Sequence, residues 1–149
     1  MKVQSCVLFF LSFSLGVASS PNTFAQSAAA DPPGIVVGAT EGGFRYMTGG
    51  VGSDEREVME RLDIPFNLKL IFAEGSGNFL SDVKLSILDE PGHNVAEATS
   101  NGPWFYIKLP PGFYTVVATF NNDSKRIKNL DLSKRERVTR FLHWTLAEE

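Results

Sequence analysis

The sequence predicts an all-β protein folded as a small antiparallel sandwich, and three observations carry that prediction. From Asn67 to Trp144 apolar residues recur with period two in short runs. Clusters of Gly, Pro, Asn and Asp break those runs at spacings of about 8–12 residues, as in a sandwich or barrel. No long amphipathic helix separates the runs, which argues against parallel βαβ units.

The first segment reads as an export signal. Met1-Lys2 supplies one positive charge and Val7–Val17 is an apolar run of signal-peptide length. A membrane span would need roughly 20 apolar residues. The small residues of Thr23-Phe24-Ala25 favour cleavage after Ala25, and Ala18, Ser19 and Ser20 offer other positions. Residues 1–25 are therefore expected to be a signal peptide, which implies a periplasmic or secreted protein. Cys6 is the single cysteine and precedes the apolar run, so the mature chain would carry no thiol and no disulfide. Stability must then come from the core of one domain. The net charge of −3 becomes slightly more negative once Lys2 is removed, and nucleic acid is an unsuitable partner for such a chain.

Residues 26–43 are rich in Ala, Pro and Gly and read as a flexible lead-in with one apolar patch at Ile35-Val36-Val37. Residues 44–66 form an extension. Phe44–Thr48 suits a short strand, closed by the loop Gly49-Gly50-Val51-Gly52. Asp54 and Glu57 fit a capping box, and Val58, Met59 and Leu62 have helical spacing over Glu55–Leu62. A helix so short is marginal alone and must dock on another element.

Seven strands follow, near Leu68–Phe72, Val83–Leu88, Val95–Thr99, Trp104–Leu109, Phe113–Phe120, Lys125–Leu132 and Arg137–Leu142. Turns fall at Gly75-Ser76-Gly77-Asn78, Asp89-Glu90-Pro91-Gly92 and Asn121-Asn122-Asp123. Parity assigns Leu68/Leu70/Phe72, Val83/Leu85/Ile87, Phe105/Ile107/Leu109 and Tyr114/Val116/Ala118/Phe120 to the core. On the last strand Val138/Leu142/Trp144 compete with Phe141. Leu109-Pro110-Pro111-Gly112 reads as an edge-to-edge connection, its prolines presetting extended backbone before alternation resumes at Tyr114.

Several of these motifs resemble carboxypeptidase regulatory-like domains. They are Phe79–Asp89, Gly92, Thr99–Phe105 and Leu109-Pro110-Pro111-Gly112 with Tyr114. The likeness spans roughly Asn67 to Trp144, within a domain placed at 67–146. It implies a transthyretin-like (prealbumin-like) fold, a seven-stranded antiparallel Greek-key sandwich, here with a short N-terminal helix. It also implies an accessory or binding role more often than catalysis. The whole mature chain is similar to small exported proteins of Gram-negative bacteria. Asn101 stands where the family usually has an acidic residue, and Pro103-Trp104 where a smaller polar one is common.

Candidate binding residues follow from parity. With Phe105, Ile107 and Leu109 inward, Trp104, Tyr106 and Lys108 share the outward face. Exposed aromatics beside a cation suit sugar stacking or a protein contact. The alternative is that this face is covered, either by the helix around Val58-Met59-Leu62 or by the strand at Phe44–Tyr46. His93 and His143 have no ligand-spaced neighbours, so no metal and no cofactor are expected. Intradiol dioxygenases hold iron on a related sandwich with two Tyr and two His, a spacing that Tyr46, Tyr106, Tyr114, His93 and His143 do not match. Gly49-Gly50-Val51-Gly52 lacks the Lys-Ser/Thr of a phosphate loop. The cations of Lys125-Arg126-Lys128 and Lys134–Arg140 suit a solvated strand face. The expected protein is a non-catalytic envelope module whose partner is an envelope protein or a glycan. A carbohydrate-binding module using the exposed aromatics comes next, and a small hydrolase or metal oxygenase last.

Overall fold

The computed structural model describes residues 34–62 and 65–145. The proposed signal segment and residues 26–33 lie outside them. The described elements are β1 (Val36–Ala39), β2 (Arg45–Gly49), α1 (Ser53–Arg61), β3 (Leu68–Glu74), β4 (Lys84–Leu88), β5 (Asn94–Thr99), β6 (Trp104–Ile107), β7 (Phe113–Phe120), β8 (Asp123–Asp131) and β9 (Val138–Trp144). They form two sheets, ordered β1-β2-β6-β3-β9 and β5-β4-β7-β8. The protein is thus mostly β and two-layered, with one short helix among the described residues.

The seven strands expected from Asn67 onward are present as β3 to β9, and β1 and β2 raise the count to nine among the described residues. Part of the expected lead-in is therefore structured: Val36-Val37-Gly38-Ala39 pairs with β2, from Val36 opposite Thr48 to Ala39 opposite Arg45. The sandwich is also not wholly antiparallel. β9 runs parallel to β3, with Leu68 opposite Val138 and Glu74 opposite Trp144. The chain leaves the β7–β8 pair in one sheet and re-enters the other beside β3 in the same direction.

Alternation places the core as parity requires. Leu68, Leu70, Phe72, Val83, Leu85, Ile87, Phe105, Ile107, Leu109, Tyr114, Val116 and Ala118 are buried in one cluster, with Phe120 packed against it. The ambiguity on β9 resolves toward Leu142 and Trp144, which are buried, while Phe141 is 62% exposed. Trp144 packs edge-on against Phe72 and Phe120, and its indole N–H donates to the Asp123 carbonyl at 3.0 Å.

The Leu109–Gly112 segment joins two interior strands, β6 and β7, rather than two edges. Side chains fix its path. Asn67 donates to the Leu109 carbonyl at 2.8 Å and accepts from the Leu109 N–H at 3.0 Å. The Tyr114 hydroxyl donates to the Pro110 carbonyl at 2.8 Å. The β7–β8 turn is a two-residue hairpin: Phe120 faces Asp123, and Asn121 and Asn122 have φ of 44° and 64°. Such a turn needs left-handed backbone at both positions, which Asn tolerates.

Candidate functional site

The outer face of the β1-β2-β6-β3-β9 sheet carries Met47, Trp104, Tyr106, Lys69 and Ile71, the residues left over once the other parity enters the core. α1 lies across it. Met59 is buried, and Val58 and Leu62 pack beside it against Met47, Ile71, Trp104 and Tyr106, with Ile35 and Phe66 completing the cluster. Trp104 is consequently 9% exposed and Tyr106 0%. The expectation of Trp104 and Tyr106 as open stacking rings is corrected: the helix takes the apolar area that a sugar would have used. β2 does not supply the cover. It pairs with β6 in the same sheet, and Tyr46 stacks on Phe105 from the inner side at 5.4 Å.

A cation is trapped under this cover. The Lys69 ammonium sits 3.3 Å from the Trp104 ring centroid and 5.2 Å from that of Tyr106. Glu60 of α1 faces it at 3.5 Å. Burial lowers the Lys69 pKa; Glu60 opposes that shift and Arg137 adds to it. Burial likewise pushes the Tyr106 phenol up to about 12. Its hydroxyl has no hydrogen-bond partner among the described residues.

The helix start departs from the capping box. The N-cap is Gly52, without a side-chain cap bond. Glu55 reaches back instead, accepting from the N–H groups of Gly50 at 3.0 Å and Val51 at 3.1 Å. Arg56 donates to the carbonyls of the same two residues at 2.8 and 3.0 Å. The glycine loop is therefore pinned. Two N–H groups that a phosphate would require already hold a carboxylate.

The third predicted residue, Lys108, lies elsewhere. It is exposed, at the end of the sandwich where β2 begins, β6 ends and the chain enters β3. A cleft of about 390 Å³ opens there. Phe44, Phe66 and Leu109 line it, Pro65, Pro110 and Pro111 add apolar walls, and Arg45 and Lys108 contribute the cations. The Lys108 N–H donates to the Arg45 carbonyl at 3.0 Å, so the two residues are cross-strand neighbours. Both belong to the outward parity, and like charges in that relation repel. Among the described residues neither is in an ion pair.

Backbone donors in this cleft are few. The three prolines have no N–H. Those of Lys108 and Leu109 are taken by Arg45 and Asn67, and that of Phe44 by the Thr40 hydroxyl at 3.2 Å. The lining is otherwise mainly apolar surface with two positive side chains.

No family model matches the chain, and no curated protein matches it either.

Other candidates stay dispersed. His93 bonds its turn partner Asp89, with Nδ1 3.3 Å from the carboxylate. His143 stacks on Phe141 at 6.4 Å. Among the described residues no three His, Cys, Asp or Glu side chains converge as a metal site would require, nor is any helix long and apolar enough to cross a membrane. Sequence reasoning missed Arg45, Phe66 and Asn67. The signal for them was indirect: Pro65-Phe66 before β3 and Leu109-Pro110-Pro111 after β6 are both apolar and proline-bearing, and segments flanking strands at one end of a sandwich meet.

Proposed function

We propose that this chain is an exported, non-catalytic β-sandwich module that binds a small ligand at the end of the sandwich. Residues 67–146 would be a carboxypeptidase regulatory-like unit with transthyretin-like Greek-key connections. Residues 34–66 would then be an addition that seals one outer face and completes the cleft. The observation that carries this reading is the cleft itself: an apolar concavity of ligand size, where strand ends meet, with charged groups confined to two side chains. Asn67 and Tyr114 are engaged in holding the walls. Arg45 and Lys108 suit anchoring an anion.

A sugar-stacking role for Trp104 and Tyr106 loses its support once α1 lies over both rings. Periplasmic or secreted placement rests on the signal pattern of residues 1–25. A partner in the cell envelope, protein or glycan, follows from that placement and not from a contact.

The test is an amide chemical-shift map of the mature protein against a panel of small compounds with anionic, neutral and cationic heads on the same apolar body. Shifts concentrated at Phe44, Arg45, Phe66, Lys108 and Leu109 support the assignment. A panel that leaves those amides unmoved, or moves the β9 amides around Phe141 instead, contradicts it.

A further inference from the structure

We infer that the ligand of the end cleft is a monocarboxylate carried on an apolar body, with its head at Arg45 and Lys108 and its body against Phe44, Phe66 and Leu109. The inference rests on the binding reading above and names the ligand class. Two cations on adjacent strand positions repel each other unless an anion lies between them, and none is supplied by the described side chains. A guanidinium offers a planar fork that matches a carboxylate, and an ammonium adds a second point of attraction.

The distribution of donors narrows the class further. A phosphate is ordinarily cradled by several backbone N–H groups. Here the N–H groups of Phe44, Lys108 and Leu109 are occupied, and Pro65, Pro110 and Pro111 have none. A sugar would bring several hydroxyls into a lining of Phe, Leu and Pro side chains, where few could find partners. A compact anion whose remaining surface is hydrocarbon meets every feature of the cleft. Its charge stays at the wet rim, and its tail displaces water from apolar walls.

The experiment is calorimetric titration of the mature protein with decanoate, decan-1-ol and decylamine, each kept below the concentration at which it forms micelles. The same titrations follow with Arg45→Gln, Lys108→Gln and the double variant. Both side chains are exposed and outside the core, so the variants should fold, which circular dichroism verifies. Decanoate is expected to bind more tightly than decan-1-ol, and decylamine least. The double variant should lose roughly tenfold or more in decanoate affinity, as expected for removal of charge-assisted contacts. Decan-1-ol affinity should be unchanged. Equal binding of decanoate and decan-1-ol, or a double variant that holds decanoate as well as the parent, overturns the carboxylate assignment while leaving the cleft a binding site. Failure of all three probes to bind overturns both.

Discussion

Gly102 shows how little room single positions have in this molecule. A Cβ placed there would lie 2.4 Å from the Gly49 carbonyl oxygen and 2.6 Å from its carbon, both backbone atoms that cannot swing aside. Gly102→Ala should therefore cost about 1–3 kcal/mol, in the range of overpacking with backbone displacement, and urea denaturation measures it. Tyr106 has a different signature. Its phenol ionises near 10.0 when unperturbed and at about 12 in the fold, chiefly because it is buried. Between those values the folded chain holds a proton that the unfolded chain has lost. The stability contribution is complete below pH 10 and disappears as pH rises toward 12, a loss on the order of 2–3 kcal/mol. Lys69 acts in the opposite sense at lower pH. Its folded pKa lies below 10.5, so the unfolded chain binds more protons there and stability climbs with pH through that window. Denaturation midpoints from neutral to strongly alkaline pH should rise and then fall. Lys69→Met should abolish the rise and keep the fall. A buried ammonium exchanged for a thioether of similar length should leave neutral-pH stability within about 1 kcal/mol or improve it.

At the scale of elements, α1 matters more than its nine residues suggest. A helix of that length does not persist alone in water. It persists here because Met59 enters the outer-face cluster and because Glu55 and Arg56 grip the glycine loop ahead of it. Met59→Ala should cost about 2–5 kcal/mol, and Trp104 emission should shift to longer wavelength as the cover loosens. A variant with full stability and unchanged emission would show that the helix is not what closes this face. The docking of Val58, Met59 and Leu62 was legible in the sequence as one of two ways to cover an apolar face. The capping box was not correct, because Asp54 and Glu57 look outward while Glu55 meets the loop. A spacing rule sees only distances along the chain, whereas Gly50 and Val51 approach Glu55 through the fold. β1 was missed for a related reason. Four residues that include Gly38 and Ala39 carry little strand signal of their own, and their order comes from pairing with β2.

At the scale of the whole molecule, the strands β3 to β9 and the inward faces of β3, β4, β6 and β7 were readable because period two leaves one choice of core wherever apolar residues alternate cleanly. Sheet order, and the parallel pairing of β9 with β3, were not, since they depend on which sheet the chain re-enters. The cleft was half visible: Lys108 was singled out, but with Trp104 and Tyr106 as companions instead of Arg45 and Phe66. The two pairs of neighbours differ by what the extension does. By lying over Trp104 and Tyr106 it removes an aromatic surface, and the binding proposed above falls to the end of the sandwich. Acrylamide quenching of tryptophan fluorescence tests that division directly, since Trp104 and Trp144 are the only tryptophans and both are buried. Weak quenching of the whole emission is expected in the native protein. A component quenched as efficiently as free indole would contradict the covered outer face and return Trp104 and Tyr106 as candidate binding residues.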